Sequence, residues 1–271
     1  MDIIANKNVS MYYLQKYEQQ AKKKFGQNFI IDPSVVRTIA NHSGHGPLVL
    51  EIGPGLGALT QQLALNYDKV VAYEIDTYMM EILEESLKDL NNVEVILQDF
   101  LKADLSAFKG VSLDVCANLP YYITTPLLFK LMDLNVNKMT LMVQKEIGDR
   151  LGAKVNTKEY NALSIQIQYY FSVKQVMKVS KASFHPQPNV ESIVIQLTPK
   201  HQTMPYDEKL FFEFVKGCFQ FRRKTLVNNL KAMEFENIQE KLEAIGIDVR
   251  VRAEALEFEA FLKLYGVFYD A

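Results

Sequence analysis

From residue 48 onward the chain alternates short β-branched runs with longer amphipathic ones, and no other feature restricts its fold so tightly. The β-branched runs cover 48–52, 69–75, 93–98, 111–117 and 138–143. Between them, residues 59–65, 78–90 and 126–134 place apolar side chains at three- and four-residue intervals, the spacing of one helix face. Parallel strands need crossover connections of about a dozen residues, and these amphipathic segments supply them. The expected architecture is therefore α/β, a parallel, doubly wound sheet. Two further strand-like segments, 173–179 and 192–197, suit a final hairpin strand; the connection Phe184-His185-Pro186-Gln187-Pro188 is too rich in proline for regular structure.

Outside this rhythm the chain reads as helical. Residues 11–20 form an N-terminal helix or arm ending in Lys22-Lys23-Lys24, and Asp32-Pro33 supplies an N-cap and a first-turn proline for a helix over 34–40. Residues 146–151 and 162–171 are helical, and beyond the polar connection 199–205 the segments 207–233, 237–245 and 254–265 follow suit. The expected domains are an N-terminal arm and helix over 1–45, an α/β domain over 46–200 and a helical domain over 206–271.

With 271 residues, 48% of them hydrophobic, the chain can bury a large core. No apolar run is long enough to span a bilayer, and Met1-Asp2-Ile3-Ile4 lacks the basic-then-apolar order of a secretory signal, so a soluble, cytoplasmic protein is expected. Cys116 and Cys218 are far apart in sequence and have no clustered His nearby, which suggests reduced thiols and no metal. A net charge of −2 argues against binding polyanions over the whole surface. Local patches remain available, because charges farther apart than about 8 Å are screened at physiological salt. Two basic clusters stand out, Lys22-Lys23-Lys24 and Arg222-Arg223-Lys224.

Glu51-Ile52-Gly53-Pro54-Gly55-Leu56-Gly57 follows the first strand and opens a helix, so Gly53 and Gly55 let backbone amides approach a ligand. Glu74, at the end of the second strand, can accept both hydroxyls of a ribose; Asp99, after the third, can accept from an adenine amine. The loop alone also satisfies a dinucleotide pattern, with Ala58 as the third small residue, and leaves a nicotinamide dehydrogenase open. After the fourth strand, Asn118-Leu119-Pro120-Tyr121 gathers an amide, backbone carbonyls and an aromatic ring.

The combined placement of Glu51, the glycine loop, Glu74, Asp99 and the Asn-Leu-Pro-Tyr stretch resembles the Rossmann-like fold of S-adenosylmethionine-dependent methyltransferases. The stretch itself resembles the catalytic motif of enzymes acting on adenine N6. The resemblance implies that the Asn118 side chain and the Leu119 carbonyl accept the two amine hydrogens, returning density to a nitrogen whose lone pair is delocalised into the ring. Tyr121 would stack on the base, with Phe184 a candidate for its other face. Stacking returns about 1–3 kcal/mol per base, against a few kcal/mol to unstack a nucleotide.

Six segments, "KKKFGQNFIID" at 22–32, "EIGPGLGALT" at 51–60, "NLPYYITTPLLF" at 118–129, "MVQKEIGDRL" at 142–151, "FHPQPNVESIVIQL" at 184–197 and "FRRKTLVNNL" at 221–230, resemble the KsgA/RsmA family of small-subunit rRNA adenine dimethyltransferases, in that family's order. The resemblance implies that Asn28 and Ile30 border S-adenosylmethionine, that Gly53 approaches its amino-acid end, that Glu74 holds the ribose and Asp99 the adenine, and that Asn118 sits by the transferred methyl. It implies a substrate of two neighbouring adenosines in a hairpin loop near the 3′ end of 16S rRNA, within the immature 30S subunit, with both basic clusters contacting RNA. A monomer is expected. Tyr122 departs from the family, where many relatives carry Asn. The alternatives are an Erm-type 23S rRNA methyltransferase, which the 142–151, 158–170 and 221–230 segments disfavour, and a non-catalytic ribosome assembly factor.

Overall fold

The computed structural model describes residues 2–22, 26–120 and 123–269. The chain divides into two units, Met1–Gly148 with Val173–Pro199, and Asp149–Ser172 with Lys200–Ala271. The sequence reading put one boundary near residue 205; in the structure residues 149–172 group instead with the C-terminal helices.

In chain order the first unit contains α1 (Lys7–Lys16), β1 (Phe29–Ile30), α2 (Pro33–Ser43), β2 (Gly46–Ile52), α3 (Ala58–Leu63), β3 (Tyr67–Glu74), α4 (Thr77–Ser86), β4 (Val93–Leu97), β5 (Leu113–Asn118), α5 (Thr124–Met132) and β6 (Val136–Gln144). Then come α6 (Lys145–Leu151), α7 (Ala162–Tyr170), β7 (Phe171–Val179), β8 (Phe184–His185) and β9 (Ser192–Pro199). The last stretch holds α8 (Glu208–Cys218), α9 (Leu226–Ala232), α10 (Ile238–Ala244) and α11 (Phe258–Tyr269).

Seven strands form one sheet in the order β4-β3-β2-β5-β6-β9-β7. Strands β2 to β6 pair in parallel, and β9 runs antiparallel to β6. The sheet is thus mixed, with the strand order reversing between β2 and β5. A cleft opens there, because the crossovers from the two neighbouring strands leave in opposite directions. The central strands are covered on both faces, which explains their unbroken apolar runs: Val49, Leu50, Val115 and Ala117 are fully buried.

Local signals set the helix ends. The Asp32 side chain accepts from the Ser34 amide ahead of Pro33, and α2 stops at Gly44, whose φ of 94° suits a residue without a Cβ. Asp76 caps α4 in the same way through the Tyr78 amide. One buried cluster packs Val36, Ile39, Leu59, Leu63, Val70, Met79 and Ile82 against the sheet, each worth about 1.5–3 kcal/mol.

Two expectations need correction. The proline-rich connection is not wholly irregular: β8 pairs antiparallel with β1, placing Phe29 opposite His185 and Ile30 opposite Phe184. The expected helix over 207–233 is two helices, α8 and α9, parted by a loop carrying Arg222, Arg223 and Lys224. Buried Asn229 holds that loop, its Oδ1 accepting from the Phe221 amide at 2.7 Å.

The second unit has its own aromatic core, in which Phe211, Phe214, Phe261 and Leu264 are buried. Among the described residues no helix is long and apolar enough to cross a membrane, and no group of three His, Cys, Asp or Glu is placed to hold a metal ion. Cys116 and Cys218 are buried free thiols.

Candidate active site

A cleft partly open to solvent lies above the strand-order reversal. Asn28, Ile30, Glu51, Gly53, Gly55, Glu74, Asn118 and Leu119 all line it. An adjoining cavity shares Gly53, Ile75 and Pro120 with it and adds Gln98, Asp99 and Phe100. Sequence-separated candidates therefore meet in two adjoining cavities that share a wall.

The glycine loop forms the floor. Gly53 has φ 71°, and a Cβ built on it would project into open space with no atom within 4 Å, so only glycine leaves this stretch of groove clear. Its amide donates to the Tyr73 carbonyl at 2.9 Å. Gly55 at φ 58° lies under the Phe29 ring, which a Cβ would meet at 3.2 Å.

Two buried carboxyls flank the loop. Glu74 accepts from the backbone amides of Gly55, Ile75 and Asp76 at 3.1, 2.8 and 2.8 Å. Burial still holds its pKa above the ordinary value, against the pull of those donors. Glu51 is 1% exposed and its Oε2 has no hydrogen-bond partner. Burial pushes the Glu51 carboxyl up to about 8, and the neighbouring charge of Glu74 adds to the shift. At neutral pH Glu51 is therefore predominantly neutral and carries a proton it can donate.

Asn118 is the last residue of β5. Its Nδ2 donates to the Asn28 carbonyl at 3.4 Å, which leaves Oδ1 as the acceptor on the amide's other side. Leu119 is buried and donates its amide to the Met142 carbonyl at 3.0 Å. The second half of the motif, Tyr121, and its neighbour Tyr122 lie outside the described residues. In the adjoining cavity Asp99 accepts from the Leu101 amide at 3.0 Å and starts a single helical turn, Phe100–Lys102.

Other candidates are placed differently. Phe184 lines neither cavity: it is 1% exposed, buried in the main core from β8, and offers no open ring face to a base. Lys22 is not a solvated cation, because its Nζ pairs with Asp76 at 2.8 Å and sits 3.6 Å from the centre of the Tyr78 ring. Lys23 and Lys24 lie outside the described residues. Arg222, Arg223 and Lys224 are exposed in the second unit, with Arg222 donating to the Lys158 carbonyl.

Sequence reasoning missed the support of the 26–30 wall. Asp76 accepts from Lys22 at 2.8 Å and from Gln27 at 2.9 Å while capping α4, so one carboxylate ties this wall to the helix after Glu74. The available signal was an acid two residues after Glu74, which reads equally well as a bare N-cap.

Comparison with known proteins agrees with this geometry. A family model described as ribosomal RNA adenine dimethylase matches residues 18–270. A Bacillus cytotoxicus protein named ribosomal RNA small subunit methyltransferase A is 46% identical over 282 residues, covering 97% of either chain. One of the same name from Oceanobacillus iheyensis is 44% identical, covering 95% of this chain and 93% of the relative. A solved dimethyladenosine transferase from Plasmodium falciparum superposes with a TM-score of 0.75 at 28% identity, covering 87% of this chain and 95% of that one. The 23S rRNA methyltransferase ErmE shares the fold at 24% identity, with a TM-score of 0.69 over 89% of this chain and 99% of that one. The chain belongs to the ribosomal RNA adenine dimethylase family and is an rRNA methyltransferase.

Proposed function

We propose that this protein uses S-adenosylmethionine to dimethylate N6 of two adjacent adenosines in a hairpin loop near the 3′ end of 16S rRNA, within the immature small ribosomal subunit, and that it works as a cytoplasmic monomer. The observation that carries the reading is the Asn118 amide, oriented by Asn28 in the same cleft as Glu51, Gly53 and Glu74. An acceptor suited to an exocyclic amine thereby shares one groove with groups suited to a nucleoside bearing an amino acid.

The residues present fit that cofactor. The unpartnered Oε2 of Glu51 would suit the polar amino-acid end, the Glu74 carboxylate would suit ribose hydroxyls, Asp99 would suit an adenine amine, and Gly53 leaves clear the space a Cβ would take. When bound, S-adenosylmethionine supplies an electrophilic methyl on a sulfonium. Asn118 Oδ1 and the Leu119 carbonyl would accept the hydrogens of N6 and orient its lone pair toward the methyl. A proton leaves the nitrogen for solvent after transfer, so no strong base is needed. Arg222, Arg223 and Lys224, on an exposed loop, suit phosphate contacts.

The 44–46% identical relatives named for the small subunit support that substrate over the Erm-type alternative. The test incubates the full chain and methyl-labelled cofactor with immature small subunits and, separately, with protein-free 23S rRNA, then digests the RNA for mass spectrometry. Dimethyladenosine only in 16S rRNA is expected; label confined to 23S rRNA overturns the reading. Asn118→Ala should abolish transfer while leaving subunit binding, and subunit binding by wild-type protein without any methylation would instead favour an assembly factor. Neutralising Arg222, Arg223 and Lys224 together should flatten the salt dependence of subunit binding, and an unchanged slope refutes their role.

A further inference from the structure

Helix α5 starts just beyond the Asn-Leu-Pro-Tyr stretch, and its Ile123 and Leu127 side form a wall of the cavity that holds Asp99 and Phe100. One turn further along α5, Lys130 reaches across to the turn on the far side of that cavity. Its Nζ donates to the Leu101 carbonyl at 2.8 Å and to the Ala103 carbonyl at 2.7 Å, and lies 5.6 Å from the centre of the Phe100 ring. Lys130 is half-buried, and among the described residues its ammonium hydrogen bonds go to these two carbonyls.

A single three-residue helical turn has almost no ladder of its own and leaves its terminal carbonyls without internal partners. Here both ends are held from outside the turn. Asp99 closes the N-terminal end by accepting from the Leu101 amide, and the Lys130 ammonium takes the carbonyls of the turn's middle residue, Leu101, and of Ala103 just past its C-terminal end. An ammonium has three donors in flexible arrangement, so it can serve two carbonyls at once. The conformation that fixes Asp99 and Phe100 therefore depends on a cation carried by the helix that follows the amine-binding segment.

We infer that Lys130 is a positioning residue for the adenine end of the cofactor groove, setting the orientation of Asp99 toward the adenine amine by bolting the 99–103 turn to α5. The inference rests on the cofactor reading proposed above. It makes α5 a shared part: the same helix backs the acceptor segment at its start and the adenine subsite through Lys130.

The experiment compares two unreactive ligands by calorimetry on the full chain, S-adenosylhomocysteine and the same molecule with hydrogen in place of the 6-amino group. Lys130→Met keeps the aliphatic stem and removes the donors; Lys130→Arg keeps a cation. Lys130→Met should weaken S-adenosylhomocysteine binding about five- to twentyfold and the deaminated ligand less than twofold, as the polar contact to the 6-amino group is compromised on only one of them. In an Asp99→Ala background it should cost nothing further, and Lys130→Arg should recover most of the loss. In methyl transfer, KM for the cofactor should rise in parallel while kcat at saturation changes less than twofold. Equal losses on both ligands, full additivity with Asp99→Ala, or a lowered melting temperature with unchanged affinity each overturn the inference. Wild-type protein that binds neither ligand overturns the cofactor reading itself, and this inference with it.

Discussion

Replacing Glu51 by Gln gives a sharp reading of the buried carboxyl beside the glycine loop. The ordinary carboxyl value is 4.5, and in the folded protein burial raises it to about 8. Below pH 4.5 the group is protonated in folded and unfolded chains alike, and Glu and Gln should behave alike. Between pH 4.5 and 8 the unfolded chain releases the proton while the folded chain keeps it, so the unfolded state binds fewer protons and stability falls as pH rises. One pKa unit corresponds to 1.36 kcal/mol, so the accumulated cost above pH 8 is on the order of 5 kcal/mol. Gln has nearly the same shape and no proton to lose, and should escape that cost. Urea denaturation of the ligand-free protein, followed by circular dichroism from pH 5 to 9, measures the difference. The stability of Glu51→Gln minus that of wild type should grow by about 1.4 kcal/mol per pH unit and level off near pH 8. Glu74, raised in the same direction, is present in both proteins and largely cancels. A difference that stays constant across the range would show that Glu51 is ionised in the folded state and would refute the argument.

Other substitutions test the core and the supports around the groove. Phe184→Ala should cost about 3–5 kcal/mol of stability, read as a lowered melting temperature, because it empties a fully buried site; a loss of RNA affinity at unchanged stability would restore the stacking role instead. Gly57→Ala forces a Cβ onto a φ of 86° and to 2.9 Å from Leu87 Cδ2, and should destabilise by about 2–4 kcal/mol in the same assay. Lys22→Met leaves the buried Asp76 carboxylate short of one half-buried partner and should cost about 1–3 kcal/mol. It should also weaken cofactor binding through the 26–30 wall, and calorimetry showing wild-type affinity would rule out that support.

The sheet and most crossover helices were legible because strands covered on both faces must be apolar throughout, and because Asp32-Pro33 announces a helix start wherever it is packed. The groove was legible where its chemistry is local, as at Glu51, the glycine loop, Glu74 and Asn118. What escaped depends on partners distant in sequence. The break between α8 and α9 has no Gly or Pro at its centre; it is held by Asn229 bonding back to Phe221. Strands β1 and β8 are two residues each, too short to show a period, and exist through each other. Phe184 was legible as an aromatic in a proline-rich stretch, but a residue type does not reveal which way its ring turns. Lys22 read as one of three like charges, and only the fold shows that Asp76 claims it.

The pairing of β1 with β8 also bears on when the protein becomes competent. Next to it, the Ile31 amide donates to the Ser183 carbonyl at 2.8 Å, and the Ser183 hydroxyl reaches the Asp32 carboxylate across 151 residues of chain. During synthesis, strands β2 to β6 can emerge and associate well before residue 183 leaves the ribosome, yet the 26–30 wall, though already tied to Asp76, lacks its strand partner until then. Ligand capture is thus tied to near-complete translation of the first unit. A nascent chain halted before β8 should hold much of its parallel sheet and still lack a finished groove, so that ordering of the cofactor site reports a fully made fold.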